Sequence, residues 1–593
     1  MHDRQPVFIP YRQHGEPPRR AGISPVDFDL SGLGDSQVQL LGHLCRAADA
    51  MNSIFRDQAC AETPRITRLV SAMMDQAEGQ EREACRHYLD ILNLQNGPFS
   101  LLPRKNHLLD IPQARAVVLA VQAGIAKEFH ALSRYLYQDL SLPEKANFYP
   151  DDLTDEVFRE LPDLAREVNA TVARQDDGSL VAIRNEQRYA SACQTAAGHL
   201  REARNHTDNL RFRMYLDAKI EELNSGTEEA RRIAEYLWIR HDSPIDIVIS
   251  TAIEVYLDAW KNNKGAAAGS VMVVNREAEK LLRAIIDLVP LLEATAPWTH
   301  RRTGMDATVL PRLRFVDVLN WTGDYVTSPM TTIAQSLPND QWVAKNVGTV
   351  NMVYRNTGKA VHRISGDFIA REFLHREVEE RYGAVIFEAG QLHSALHEIG
   401  HTTGVQAASH PGEPRGYLEE EYSALEEARA ELFGMWAMER LADRGLVSME
   451  MAFAGQYSML LSMITSLKFA PDQAHTKARN MLFHYFDDHR AIVRHGAGAQ
   501  LRFSLDLEAL RDAVESMLRT LGDLKAVGDK AGARAFREVY CFTDPLRPEI
   551  EARTKDAPLG RGLLFPELTF GNGRFEPELD YPDFSGQRKF GQG

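Results

Sequence analysis

Apolar residues recur with a helical period over most of this chain. Where they fall every three or four positions, they predict a helix with one buried face. Helices are predicted on this basis at Val38–Arg56, Ala114–Leu140, Glu228–Arg240 and Arg276–Val289, and near residues 448–467, 472–490 and 505–524. Pro290 should end the fourth of these helices, because proline lacks an amide hydrogen.

Strand patterns are fewer and shorter. Ile245–Trp260 is apolar and rich in β-branched residues, and Gly269–Asn275 also has the composition of a strand. Asp176-Asp177-Gly178 is a turn signal that predicts a hairpin. Residues 312–386 alternate short strand-like runs with turns. The pattern as a whole predicts an α+β protein that is predominantly helical.

One predicted helix, Phe387–Thr403, contains the pattern H-E-x-x-H at positions 397–401. His397 and His401 lie one turn apart on nearly the same face, so both imidazoles can reach one metal ion. Glu398 lies close enough to act on a water bound to that metal. Gly400 is a poor helix former, which suggests that something approaches closely at this position. The arrangement is that of a zinc hydrolase.

A third ligand can come from the next predicted helix, Leu418–Arg444. Glu427 and Glu431 lie four residues apart among small residues, although a solvated acidic face remains the alternative. Catalytic zinc favours three protein ligands and an open position, and a glutamate of this helix would complete the set. With three ligands available, His393 is predicted to be a core or supporting histidine and His410 a loop residue.

Composition narrows the function class. The 593 residues carry a net charge of −15 with a pI of about 5.8, which argues against a nucleic-acid or anionic-membrane binder. Five scattered cysteines without C-x-x-C spacing suggest reduced thiols. Residues 1–20 show no signal peptide, and Ala116–Ala126 is too short to span a bilayer. We therefore expect a cytoplasmic protein with no membrane contact and no obligate protein partner.

Several motifs, in this order along the chain, resemble those of the dipeptidyl peptidase III family, and most closely its bacterial and plant branches. They are Ile253–Asp258 (Ile-Glu-x-Tyr-x-Asp), Leu337–Asn339 (Leu-Pro-Asn), His397–His401, Glu426–Glu431 (E-E-x-x-A-E), Gln473–Arg479, and the stretch from Gly528 to Leu546. The resemblance implies a zinc peptidase with two lobes separated by a wide cleft. One lobe would be helical and bind zinc, and the other would have a β-barrel-like core.

The resemblance also implies roles for the acids of the two helices. Glu427 would be the third zinc ligand, with one Zn²⁺ per chain, and Glu398 the general base. Glu426 and Glu431 resemble carboxylates that orient the two ligand imidazoles, a support that metal-bound histidines usually have.

Substrate residues follow from the same resemblance. Tyr256 and His475 resemble two donors that stabilise the oxyanion, and Glu254 and Asn339 resemble residues that hold the free amino terminus of a peptide. Arg479 resembles an arginine of the cleft. The implied reaction is hydrolysis of short peptides, releasing dipeptides from the amino terminus.

Two departures from the family lie where the amino-terminal subsites are expected. Residues 265–269 read Gly-Ala-Ala-Ala-Gly in place of an aromatic–acidic pair, and Ser336 stands where many members have asparagine. Two alternatives therefore stay open. One is a zinc hydrolase of the same fold that acts on blocked peptides or non-peptide amides, and the other is a non-catalytic peptide-binding relative.

The resemblance also suggests how the lobes alternate along the chain. The predicted segments are an irregular amino-terminal arm (1–30), a first lobe (31–275), a helical segment of the catalytic lobe (276–330), a β-rich segment of the first lobe (331–386), the zinc-binding helical lobe (387–545), and an irregular tail packed on the first lobe (546–593).

Overall fold

The structure, a computed structural model, describes residues 5–13, 19–101, 104–300, 312–327, 334–405 and 414–581. The prediction of a predominantly helical α+β protein is confirmed. The chain forms two compact units. Unit 1 contains Met1–Val274, Phe315–Ile364 and Pro558–Gly593, and unit 2 contains Asn275–Arg314 and Ser365–Ala557.

The strands of the described residues are short and are distributed over five sheets. They are β1 (Val7–Tyr11), β2 (Arg19–Pro25), β3 (Ala170–Arg174), β4 (Leu180–Arg184), β5 (Ile245–Glu254), β6 (Ala266–Val274), β7 (Arg312–Gly323), β8 (Ala334–Leu337), β9 (Val350–Tyr354), β10 (Ile492–His495), β11 (Arg502–Leu505), β12 (Leu559–Leu564), β13 (Glu567–Gly571) and β14 (Arg574–Asp580).

The α-helices make up most of the remaining regular structure. They are α1 (Asp35–Ala59), α2 (Thr63–Gln76), α3 (Gly79–Leu94), α4 (Gln113–Gln122), α5 (Ala126–Tyr137), α6 (Asp155–Glu160), α7 (Asn185–Arg188), α8 (Ala190–Arg204), α9 (Leu210–Ser225), α10 (Glu228–Arg240), α11 (Arg276–Thr295), α12 (Gln341–Asn346), α13 (Arg355–Val361), α14 (Asp367–Phe373), α15 (Arg376–Tyr382), α16 (Ile386–Thr402), α17 (Pro414–Leu418), α18 (Tyr422–Asp443), α19 (Met449–Ser466), α20 (Ala474–Asp488), α21 (Leu507–Val527), α22 (Lys530–Tyr540) and α23 (Arg547–Thr554).

A curled sheet of five strands, in the order β5-β6-β7-β9-β8, forms the centre of unit 1. β5 and β6 are antiparallel with Ile247 opposite Val271, and both side chains are fully buried. Helix α1 covers the sheet, and the Thr322 hydroxyl donates to the carbonyl of Ala48 at 2.9 Å. Strands covered in this way are apolar along their length, which is why Ile245–Glu254 is a nearly continuous apolar run in the sequence.

The curl brings the two edge strands of this sheet together. Gln335 of β8 donates from Nε2 to Glu254 Oε1 of β5 at 2.7 Å. Just beyond β8, Asn339 Nδ2 donates to the carbonyl of Ile253 at 3.1 Å. Contacts between the first and last strands are possible only because the twist of the sheet nearly closes it on itself. Residues far apart in sequence therefore meet at the ends of β5 and β8.

The prediction that both chain ends are irregular is wrong. β2 lies between β1 and β12, and it pairs in parallel with β12, with Ala21 opposite Leu559. The tail adds α23 and the β13–β14 hairpin. The pairing joins segments that are more than 500 residues apart, so the pattern of either short segment alone does not reveal it.

Three predictions of secondary structure need correction. Ala114–Leu140 is two helices, because Gly124 takes a left-handed φ of 72° between α4 and α5. Helix α11 continues through Pro290 to Thr295, and its last turns are held by buried residues such as Leu292. The stretch after Tyr354 that we expected to be strand-like is helical from Arg355 to Tyr382, apart from short breaks. The predicted hairpin around Gly178 is confirmed as β3–β4.

Candidate metal centre

Helices α16 and α18 pack closely against each other in unit 2, and Gly400 allows this contact. A Cβ atom at position 400 would lie 3.2 Å from both the Cα and the carbonyl oxygen of Ala430. A contact at this distance is tighter than most Cβ contacts, so a side chain here would require the α18 backbone to shift by a few tenths of an ångström. The close approach that the sequence suggested at Gly400 is therefore made by a neighbouring helix.

The ligand atoms of His397, His401 and Glu427 converge where these helices meet. The two Nε2 atoms of the histidines are 3.1 Å apart. Glu427 Oε2 lies 3.2 Å from His397 Nε2 and 3.7 Å from His401 Nε2. Within the described residues, this is the one group of three histidine, cysteine or acidic side chains whose ligand atoms all lie within 4.8 Å of one another.

These separations fit a zinc ion. With Zn–N and Zn–O bonds of about 2.0–2.1 Å, tetrahedral ligand atoms lie about 3.3–3.4 Å from one another. The three observed distances, 3.1, 3.2 and 3.7 Å, bracket that value. Two imidazoles and one carboxylate are a donor set typical of catalytic zinc. The residues present therefore fit the metal that the sequence predicted.

The charges around the centre favour a cation. Burial opposes protonation of His397, but Glu427 and Glu431 outweigh burial and raise its pKa to about 10. Burial also opposes ionisation of Glu427, yet His397 and His475 lower its pKa to about 2. Carboxylates that stay ionised beside imidazoles provide negative charge where a metal cation would lie.

Two further carboxylates support the ring nitrogens that face away from this point. His397 Nδ1 lies 3.2 Å from Glu431 Oε2, and His401 Nδ1 lies 3.2 Å from Glu426 Oε1. A carboxylate on the second nitrogen sets which nitrogen carries the proton, and so leaves the other one free for a metal. The structure thus brings Glu426 and Glu431 to the positions that their expected orienting role requires.

Two cations that were not predicted from the sequence contact Glu426. Arg429, which is fully buried, donates to Glu426 from Nε at 3.0 Å and from Nη2 at 2.6 Å. It also donates to the carbonyl of Gly400 at 2.6 Å and so ties α18 to the end of α16. Lys525 Nζ of α21 lies 2.9 Å from Glu426. Burial opposes ionisation of Glu426, but these two cations hold its pKa well below the usual range.

The remaining residues predicted in unit 2 are Glu398, His475 and Arg479. Glu398 is partly buried on α16, and within the described part of the chain its carboxylate has no hydrogen-bonded or ionic partner. His475, at the start of α20, is 59% exposed, and its Nδ1 lies 3.2 Å from Glu427 Oε2. Arg479 Nε lies 3.5 Å from Glu431 Oε1. Arg479 thus contacts an orienting carboxylate of the centre.

The two other histidines considered from the sequence differ in what the structure describes. His393 is buried, and its Nε2 lies 3.0 Å from the carbonyl oxygen of Glu431. It therefore packs between α16 and α18 as a core histidine. His410, predicted to lie in a loop, is outside the described residues.

Glu254, Tyr256 and Asn339 belong to unit 1. Glu254 ends β5 and accepts the hydrogen bond from Gln335, while Asn339 is held by the carbonyl of Ile253. Tyr256 has an exposed side chain (66%), and its backbone carbonyl accepts a hydrogen bond from Arg104 at 2.9 Å. The structure therefore groups these three residues where the edge strands of the curled sheet meet.

The alanine run that departs from the family has a packing role. Ala266, Ala267 and Ala268 lie in β6 and are 0–1% exposed. The amide of Ala267 donates to Gln58 Oε1 of α1 at 2.8 Å. Small side chains at these positions let α1 lie close to the sheet. These alanines are thus part of the core of unit 1.

The middle of this chain matches a known protein family. Residues 165–414 match the model of peptidase family M49. The matched segment includes the H-E-x-x-H but ends before Glu427, so the assignment of Glu427 depends on its geometry.

No helix of the described residues is long and apolar enough to cross a membrane.

Individual relatives are distant. Nudix hydrolase 3 of Arabidopsis thaliana is 25% identical over 563 residues, which cover 89% of this chain and 71% of that protein. Dipeptidyl peptidase 3 of Homo sapiens is 23% identical over an alignment of 432 residues, and the match covers 63% of this chain and only 56% of that protein. The structure of DPP III from Caldithrix abyssi matches with a TM-score of 0.72 at 22% identity, over 92% of this chain and 97% of that one. At this identity the structural match shows a common fold.

Proposed function

We propose that this chain is a zinc-dependent peptidase of family M49 whose metal is held by His397, His401 and Glu427, one ion per chain. The convergence of these three ligand atoms at tetrahedral distances carries the proposal. Its substrates would be short peptides, from which it releases dipeptides at the amino terminus.

A bound zinc ion supplies Lewis-acid chemistry, because it polarises a carbonyl and makes a water molecule easier to deprotonate. Glu398 accepts the proton of the attacking water and then donates it to the amine that leaves. Its carboxylate is partly buried and has no hydrogen-bonded or ionic partner among the described residues, so both oxygens are available to a water molecule. Glu426 and Glu431 keep the two histidines oriented throughout.

Two donors are proposed for the negative charge that develops on the peptide carbonyl oxygen. His475 lies beside Glu427, with an exposed imidazole that a substrate can reach. Tyr256 has an exposed side chain and no competing hydrogen bond from its hydroxyl to any other described residue. Donors aimed at a developing oxyanion stabilise the transition state more than the ground state.

Release of dipeptides requires a group that binds the free amino terminus, and we assign this role to Glu254 with Asn339. Gln335 donates to one oxygen of Glu254 and leaves the other oxygen for an ammonium group. The hydroxyls of Tyr325 and Tyr354 donate to Gln335 Oε1 at 2.8 and 2.9 Å, which fixes the orientation of the amide. The acid is therefore positioned before substrate binds.

The first test separates catalysis from metal binding. Glu398→Gln should keep its zinc and its fold but lose nearly all turnover, because an amide cannot accept the proton of water. Glu388→Gln, at the start of the same helix, is the matched control and should behave as the wild type. Near wild-type turnover in Glu398→Gln, measured with an oligopeptide substrate and metal analysis, would show that Glu398 is not the base.

Metal content tests the ligands. Wild-type protein should contain about one zinc per chain, and a variant with both His397→Ala and His401→Ala should contain none. Full retention of zinc in that double variant refutes the ligand set.

The products test the specificity. Mass spectrometry should show dipeptides from free peptides and little cleavage of amino-terminally acetylated ones, since Glu254 would then face an uncharged group. Equal cleavage of both peptides would leave a zinc hydrolase that acts on blocked substrates, and the dipeptide assignment would fail.

A further inference from the structure

Unit 1 contains a cavity that is separate from the metal centre. Its volume is about 470 Å³, and it lies between β5, the helices α9 and α10, and the segment Leu337–Asp340. Small-molecule sites in proteins usually measure roughly 300–1,000 Å³. The cavity is thus large enough for a small organic ligand.

One part of the wall is apolar. Trp238, Val248, Ile253 and Leu337 line it. The indole nitrogen of Trp238 donates to Asp246 at 3.1 Å, so its polar group already has a partner. This part of the cavity offers a ligand apolar contacts and little else.

The cations of the wall are already neutralised. Lys219 Nζ lies 2.6 Å from Glu222 Oε2, and the other oxygen of Glu222 accepts a hydrogen bond from Ser250 at 3.0 Å. Arg231 pairs with Asp340 at 3.1 Å. Arg166, the third cation of the wall, donates to the carbonyl of Arg159 at 2.7 Å and lies 3.3 Å from Asp163. All three cations already have partners, which argues against an anionic ligand.

Glu235 differs from these residues. It lines the cavity, and its Oε2 is enclosed without any hydrogen-bond donor among the described residues. Burial raises its pKa to about 7, against the opposing charge of Arg231. No described residue donates a hydrogen bond to either oxygen of Glu235, so a ligand that brings a donor to the less enclosed Oε1 is favoured.

We propose that this cavity binds a small organic monocation, a primary ammonium group on an apolar body, with Glu235 as its counter-ion. The ammonium supplies the donors that Glu235 lacks, and the body fills the wall formed by Trp238 and Val248. A metal ion fits less well, because within the described ranges the only three-ligand group is the one that contains His397. The site uses a different acid from Glu254, but its wall includes Asn339, which is also proposed to hold the amino terminus of a peptide.

The probe for the test is 2-phenylethylammonium, measured by isothermal titration calorimetry on the full-length protein. The measurement is made at pH 8, above the pKa of about 7, so that Glu235 is ionised. We expect saturable binding that falls at least about tenfold in Glu235→Gln. Glu229→Gln, an exposed acid of the same helix, is the matched control and should bind as the wild type, whereas Glu254→Gln tests whether the amine occupies the amino-terminus site instead.

Two further measurements show whether a loss of binding reflects the cavity itself or misfolding of a variant. Val248→Phe fills the apolar part of the cavity without changing any charge and should also block binding. The neutral analogue 2-phenylethanol should bind the wild type at least about tenfold more weakly than the amine. No saturable binding to the wild type, equal binding by Glu235→Gln, or loss in Glu254→Gln alone would each overturn the proposal. Turnover of peptides by the same variants reports separately on the peptidase.

Discussion

Replacing Arg429 by methionine tests how the metal helices are held together. The side chain is fully buried and donates to Glu426, to the carbonyl of Gly400 and to the hydroxyl of Thr403, the last at 3.2 Å. Arg429→Met preserves much of the volume but leaves Glu426 with Lys525 as its only buried cation and removes the donor to Gly400.

The size of the effect follows from these contacts. Removing one partner of a buried ion pair costs about 3–5 kcal/mol, because the other charge stays buried. Glu426 keeps Lys525 at 2.9 Å, which argues for the lower end, whereas the lost donors to Gly400 and Thr403 raise the cost again. We therefore expect a loss of about 4 kcal/mol from the free energy of unfolding of unit 2. With an m-value near 3 kcal/mol/M, the urea midpoint should fall by roughly 1–2 M.

The assay is urea unfolding of the metal-free protein, followed by zinc affinity from competition with a chelator. Arg547→Met is the matched control, because Arg547 pairs with Glu551 at 2.9 Å and both side chains are exposed (36% and 49%). Its loss should stay below about 1 kcal/mol. Zinc affinity should fall about 10–100-fold in Arg429→Met, since Glu426 is then less well held against His401. The reasoning is refuted if Arg429→Met loses no more stability than Arg547→Met.

Three other predictions concern single positions. His475→Ala and Tyr256→Phe should each lower kcat by roughly 10²-fold with a smaller change in KM; an effect on KM alone would assign the residue to ground-state binding. Gly400→Ala should weaken zinc binding in the chelator assay, because its Cβ would lie 3.2 Å from the Ala430 backbone and push α16 away from α18; unchanged affinity contradicts this. The pKa of Asp324 is raised to about 7, first by burial and then by a nearby carboxylate. The protonated carboxyl therefore contributes stability that is complete below about pH 4 and is lost as the pH rises through 7. The urea midpoint of Asp324→Asn should therefore fall less than that of the wild type as the pH rises from 5 to 8. Parallel pH profiles of the two midpoints would refute this.

The convergence of the metal ligands was largely predictable from the sequence. His397 and His401 lie one turn apart in any α-helix, so their spacing alone places both imidazoles on one side. The same holds for Glu427 and Glu431 on α18. Which of these two acids faces the histidine Nε2 atoms depends on how α18 is rotated against α16. The resemblance implied Glu427, and the structure places Glu427 there.

The contacts of Arg429 and Lys525 with Glu426 could not be predicted from spacing within one helix. Arg429 lies three residues after Glu426 and reads as an ordinary helical salt bridge. Only the packing of α21 brings Lys525 to the same carboxylate, 99 residues further along the chain. A pattern that repeats within one helix carries no information on which other helix covers it.

The sequence by itself determined the helical class, the positions of most long helices and the residue types of the metal site, because these depend on local periodicity and on spacing within a turn. Other features depend on contacts between residues that are distant in sequence, and only the tertiary structure shows them. They are the pairing of β2 with β12, the continuation of α11 through Pro290, and the closure of the sheet, which brings Gln335 to Glu254. In each case the contacts are made by residues distant in sequence, and their energy exceeds the local preference of the short segments involved.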